Sequence, residues 1–174
     1  MNLNGFNLKL PRINVDGFSN SMNFGLLAQN PHESTSLMNP IVRNILAVIV
    51  GGIVGMSVNM ALIMVSGSII QNPEGFDPTS EESIAATAHL LESRHFLMPF
   101  IAHAGGTLAG ALIAALIAAT HKMKFAMGIG VFFLIGGIAA CFMIPAPTWF
   151  IIVDLVIAYI PMGILGGRLA GAKN

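Results

Sequence analysis

Between Ile45 and Ile70 no charged side chain interrupts the chain. At about 1.5 Å per residue that stretch reaches about 39 Å, enough to cross a bilayer with some tilt. Three more apolar segments follow, Phe96–Thr120, Phe125–Ile144 and Trp149–Leu169. The connections His121–Lys124 and Pro145–Thr148 are short, which makes spans two, three and four antiparallel neighbours. A polar stretch from Gln71 to Arg94 separates the first two spans. It opens with turn signals, Asn72-Pro73-Glu74-Gly75 and Asp77-Pro78, and continues as Thr79-Ser80-Glu81-Glu82, which predicts a helix start with Thr79 as N-cap and Glu82 closing a capping box. Ile84, Ala88 and Leu91 then recur at helical spacing, as in a helix lying along the membrane surface. Residues 1–40 are rich in Asn, broken by Pro11, Pro31 and Pro40, and lack the apolar core of a signal peptide. Scattered apolar residues there, such as Phe6, Phe18 and Phe24, fit either a loose extension or a segment that lies on the membrane face or docks on another protein. The pattern therefore predicts an all-α fold, a four-transmembrane-helix bundle with a short amphipathic surface helix and a polar N-terminal tail. The membrane domain runs over 41–174.

Composition sharpens that reading by exclusion. Of 174 residues, 55% are hydrophobic and 9% charged, against roughly 25% charged in soluble domains. Mean hydropathy is +0.77, so an ordinary water-soluble domain is ruled out. Eight basic and eight acidic side chains balance, and no bulk field draws the protein to nucleic acid. The single cysteine, Cys141, leaves no internal disulfide to form. Arg43, Lys122, Lys124, Arg168 and Lys173 flank the spans on one side, whereas the connection between spans one and two carries Glu74, Asp77, Glu81, Glu82 and Glu92 against Arg94 alone. Since cytoplasmic connections keep Lys and Arg, both termini are expected in the cytoplasm, with Trp149 as an interfacial anchor on the opposite side.

Within the spans the clearest local signal is close packing. Ala102, Gly106, Gly110, Ala114 and Ala118 recur every four residues in span two, and Gly51/Gly55 and Gly163/Gly167/Gly171 repeat the interval in spans one and four. In lipid, small residues on one stripe let two backbones approach and gain dispersion contact. Three polar side chains stand out against this background: Asn59, His103 and Asp154. An ionisable group at mid-bilayer costs about 2.5–3.5 kcal/mol on insertion scales and faces the bundle interior, where it finds a partner. His103 and Asp154 fall in a similar layer of the outer half, and Asn59 aligns with Gly52 and Gly55. They are read either as a hydrogen-bond network that sets helix register or as a proton or ligand site. Asp154 and Gly163 lie nine residues apart, on opposite faces of a regular helix at about 100° per residue. With Asp154 inward, the Gly163/Gly167 face is expected to meet another subunit, although Pro161 kinks the span and shifts that phase.

Catalytic and metal motifs are weak. Glu92-x-x-His95 with His89 has di-iron-like spacing, but the second Glu-x-x-His and the further carboxylates are missing, and surface residues at a helix entry explain it better. No zinc-protease, nucleophile-elbow or phosphate-loop pattern occurs. No cofactor or metal is implied, and the chain is expected not to be an enzyme.

Three segments, His95-Phe96-x-x-Pro99-Phe100-x-x-His103-Ala104-x-Gly106-Thr107, Ile144-Pro145-Ala146-Pro147-x-Trp149-Phe150 and Asp154-Leu155-x-x-Ala158-Tyr159-Ile160-Pro161-Met162, resemble a family of small bacterial four-helix integral membrane proteins to which no reaction is assigned. The resemblance runs from about Val50 to Ala170. It implies the four-span fold and a bacterial inner membrane, and no substrate or cofactor. The first functional expectation is an accessory or assembly subunit whose partners are the bilayer and either other membrane subunits or a second copy. The alternative is a small channel or proton/solute carrier using Asn59, His103 and Asp154. A cavity reaching Asp154 favours transport; a lipid-facing groove matched to a neighbour favours the subunit.

Overall fold

A computed structural model describes residues 38–173, so the expectation for the tail up to Leu37 lies outside the described residues. Among the described residues, four helices are long and apolar enough to cross a membrane: Pro40–Ile69, Ser93–Ile117, Lys122–Met143 and Thr148–Leu169. The protein is a multi-pass membrane protein, an all-α bundle.

Helix α1 (Pro40–Ile69) starts five residues earlier than the charge-free stretch suggested. Asn39 caps it, its side chain accepting from the Ile41 amide at 2.8 Å, and Pro40 occupies the first turn, where its missing N–H costs nothing. Arg43 and Asn44 therefore sit inside the helix and reach across to the end of α3 (Leu97–Ile117). Arg43 donates twice to the Ile117 carbonyl, at 3.2 and 2.9 Å from Nε and Nη2. The Asn44 carboxamide accepts from Ala119 N at 2.9 Å and donates to Thr120 Oγ1 at 2.9 Å. Terminal carbonyls and amides of a helix need partners, and α1 supplies them, which closes α3 at Ile117 instead of Thr120.

The acidic connection is tied down by its own short side chains. Thr79, expected as the N-cap, is engaged instead by Asp77, which accepts from its amide and hydroxyl at 2.8 and 2.7 Å. Those two donors hold the exposed Asp77 carboxyl below its ordinary range, the hydroxyl contributing most. The cap of α2 (Glu81–Thr87) is Ser80, which accepts from Ser83 N. Ser83 in turn donates to the Gly75 carbonyl at 2.8 Å and accepts from the Asp77 amide. A 3₁₀ turn over Ala88–Leu90 follows, and a second over Ser93–Phe96 leads into α3. His95 stitches this entry: Nδ1 accepts from Glu92 N at 2.8 Å, so Nε2 carries the proton and donates to the Gln71 carbonyl at 3.1 Å. His95 thus serves the backbone with both ring nitrogens.

Helix α4 (Lys122–Met143) begins after His121, which holds a left-handed φ of 46°. The last span is two helices, α5 (Thr148–Ile157) and α6 (Ile160–Leu169). Pro161 cannot donate to Ile157, so the ladder stops at Ala158 and restarts at Ile160. At its far end Gly171, with φ +72°, closes α6 by donating to the Arg168 carbonyl while Ala172 donates to that of Gly167.

Helix α3 is central, packing on α1 most extensively and also on α4 and α6. The core is built of small residues, Ala111, Ala114, Ala115 and Ala126 around Ile129. Large apolar side chains point outward instead, with Ile41 67%, Ile135 63% and Phe142 88% exposed, as suits a lipid-facing surface. Gly51 faces the Gly110 carbonyl and Gly55 that of Gly106; a Cβ on either would stand 2.8 Å from the oxygen. Gly163 and Gly167, expected to meet another subunit, are covered within the chain by Gly130, Ala126 and Met123 of α4. The break at Ala158–Tyr159 shifts the phase of the span, so that Asp154 and Gly163 are both buried.

Candidate functional site

His103 rises from the first third of α3 and Asp154 from α5, and the two meet inside the bundle. His103 Nδ1 lies 2.9 and 3.0 Å from the two carboxylate oxygens. The Asp154 side chain is 5% exposed and that of His103 27%. Facing two acceptors, Nδ1 carries the ring proton, which leaves Nε2 without a hydrogen-bond partner among the described residues. Tyr159 completes the group by donating its hydroxyl to Asp154 Oδ2 at 2.8 Å, and the Tyr159 hydroxyl oxygen lies 3.2 Å from His103 Nδ1. The Tyr159 ring lies nearly parallel to the imidazole, at 28° with centroids 6.0 Å apart.

This arrangement depends on the broken span. Five residues separate Asp154 from Tyr159, a turn of about 500° in a continuous helix, which would carry them about 140° apart. The backbone at Tyr159, with φ −115° and ψ −77°, leaves the helical path and brings the ring back over the carboxylate. Gly137 of α4 makes the room, because a Cβ there would run into the Tyr159 hydroxyl. Sequence reasoning missed both residues. The signal for Tyr159 was present: it is the chain's only tyrosine and lies two positions before the kinking Pro161. Nothing local marked Gly137 among its neighbouring glycines.

Asn59 of α1 does not join the hydrogen-bonded group. Its Cβ stands over Gly106, and its Oδ1 is buried without a partner among the described residues. Asn59, His103 and Asp154 nevertheless line one cavity of about 270 Å³. The cavity extends from the connection, where Asn72, Phe76 and Pro78 border it, to Asp154, with Met60, Ile63, Phe96 and Phe150 among its apolar walls. Phe96 and Phe150 pack ring to ring at 5.0 Å. Ile84 and Leu91, expected on the apolar face of a helix lying along the surface, border this space. Cys141 lines it too, donating its thiol to the Gly137 carbonyl. Among the described residues no group of three or more His, Cys, Asp or Glu side chains is placed to hold a metal ion.

Chemically, the pair leaves one ring nitrogen open, Nε2, which is an acceptor while Nδ1 donates to the carboxylate. The apolar walls supply a place for an organic solute directly against that position. No family model matches this chain, nor does any curated protein or solved structure.

Proposed function

We propose that this membrane protein is a carrier that loads a small solute into the cavity above His103 and couples it to a proton held by the His103–Asp154 pair. The observation that carries this reading is a cavity between the spans that reaches a partly buried ionisable pair. Ionisable groups inside a membrane are costly and mark ion and substrate pathways. A packing role alone gives such a pair no reason to border a solute-sized space. That distinction separates the carrier from the accessory subunit, which called for a groove matched to a neighbour. Arg43 lies against the end of α3, and Arg168 follows Gly167, which packs on Met123 beside Lys122. With these cations at the cytoplasmic side, both termini lie in the cytoplasm and the cavity belongs to the outer half.

The sole cysteine provides the test. Cys141 lines the cavity, so a membrane-impermeant maleimide applied to vesicles of either orientation reads which side the cavity opens to. A carrier alternates, and Cys141 is expected to react from both faces, with a balance that shifts with pH and no longer shifts in Asp154→Asn. Reaction from one face only, or from neither, overturns the carrier reading.

A further inference from the structure

We infer that the cavity binds a small primary or secondary amine with a compact apolar body, and that the amine's positive charge replaces the proton on His103. The inference rests on the carrier cavity proposed above and names the class of its substrate.

Among the described residues, two side chains that line this space each carry an acceptor without a donor. Asn59 Oδ1 is buried without a hydrogen bond, and Nε2 of His103 makes none while Nδ1 is held by Asp154. An unpaired buried acceptor is destabilising, and a ligand that donates to it recovers that loss. An ammonium group carries two or three donors and no acceptor, which matches acceptors in hydrogen-bonding type.

Charge points the same way. Among the described residues no Lys or Arg lines the cavity, so Asp154 is compensated only by a proton on His103 or by a cation that enters. Every titratable group facing His103 agrees with that count. Asp154 on α5 and Tyr159 after it hold Nδ1, Cys141 comes from α4, His95 stands at the connection with both nitrogens bonded to backbone, and α1 contributes only Asn59 and Ser66. In a low-dielectric site a second positive charge beside an imidazolium is strongly disfavoured. The exchange therefore balances as protonated His103 plus free ammonium giving neutral His103 with bound ammonium plus one proton released to water. The remaining walls, Met60, Ile63, Phe96 and Phe150, are apolar, and the volume of about 270 Å³ falls just below the usual range of ligand pockets, so the body of the amine is about one ring or a short branched chain.

The test uses the full chain in nanodiscs with 2-phenylethylamine as probe, and 2-phenylethanol and 3-phenylpropionate as neutral and anionic counterparts. Binding is read by calorimetry and by slowed maleimide alkylation of Cys141. The amine is expected to bind about tenfold more tightly per pH unit of increase while His103 is the group giving up the proton, and to bind best of the three. His103→Gln is expected to remove the pH dependence, and Asn59→Asp to strengthen amine binding several-fold without helping the alcohol. Equal binding of amine and alcohol, preference for the carboxylate, or an amine affinity independent of pH overturns the inference. If none of the probes binds while Cys141 is labelled from both faces, the amine is wrong and the carrier stands; labelling from one face or neither removes the carrier itself.

Discussion

At Gly55 a single methyl group decides whether two helices can touch. Its added Cβ would lie 2.8 Å from the Gly106 carbonyl and closer still to the Phe133 ring, whereas a Cβ at Gly52, one turn away on the same helix, meets nothing within 4 Å. Gly55→Ala is therefore expected to cost about 1–3 kcal/mol through overpacking. Gly52→Ala is expected to be neutral or to stabilise by up to about 1 kcal/mol, because alanine loses less chain entropy in a helix. Reversible unfolding in mixed micelles checks both, and equal effects would show that the α1–α3 approach is not limiting. Tyr159 acts at the same scale. Tyr159→Phe keeps the ring against Gly137 but removes a donor from a carboxylate that is 5% exposed. A loss of about 1 kcal/mol is expected in the same assay, in the range measured for hydrogen bonds between membrane helices.

Whole elements are positioned by contacts that reach between chain ends. The C-terminus of α3 ends on the Arg43 guanidinium, which covers a carbonyl the helix cannot satisfy itself. Arg43→Lys keeps the charge but loses the forked geometry. Faster hydrogen exchange over residues 114–120 is expected, with the middle of α3 unchanged. In the acidic connection, the Asp77 carboxyl is held below its ordinary value chiefly by the Thr79 hydroxyl and then by its amide. A carboxyl whose pKa falls on folding adds stability that is present above the unfolded value and disappears as pH drops through the folded one. Exchange protection of residues 75–83 is thus expected to hold at neutral pH and to fall below about pH 4. Thr79→Val should move that loss to higher pH. No shift in Thr79→Val would mean that the Ser80 and Ser83 bonds alone organise the turn.

Across the whole molecule, polarity is distributed opposite to a soluble protein, with alanine and glycine inside and large apolar side chains outside. The spans were legible in the sequence because membrane crossing imposes a length and a lack of charge that any segment reveals by itself. Their ends were less so. The start of α1 and the stop of α3 were each misplaced by a few residues, since Arg43 and Asn44 belong to one helix and serve the other. Likewise a shared layer for His103 and Asp154 was readable from spacing, and their contact was not. It required the α5–α6 break that turns Asp154, Tyr159 and Gly163 to the same interior, together with the space that Gly137 leaves. By itself, then, the sequence determined an all-α membrane bundle of four spans, the asymmetry of charge between its two ends and the presence of rare polar groups within it. Only the tertiary structure decided that α4 covers the Gly163/Gly167 face, that Tyr159 joins the His103–Asp154 pair, and that Asn59 shares their cavity without bonding to them. The physical reason is that span length and charge are properties of contiguous residues, whereas pairing and cavities arise between different helices, whose facing depends on kinks and close approaches that no local pattern encodes.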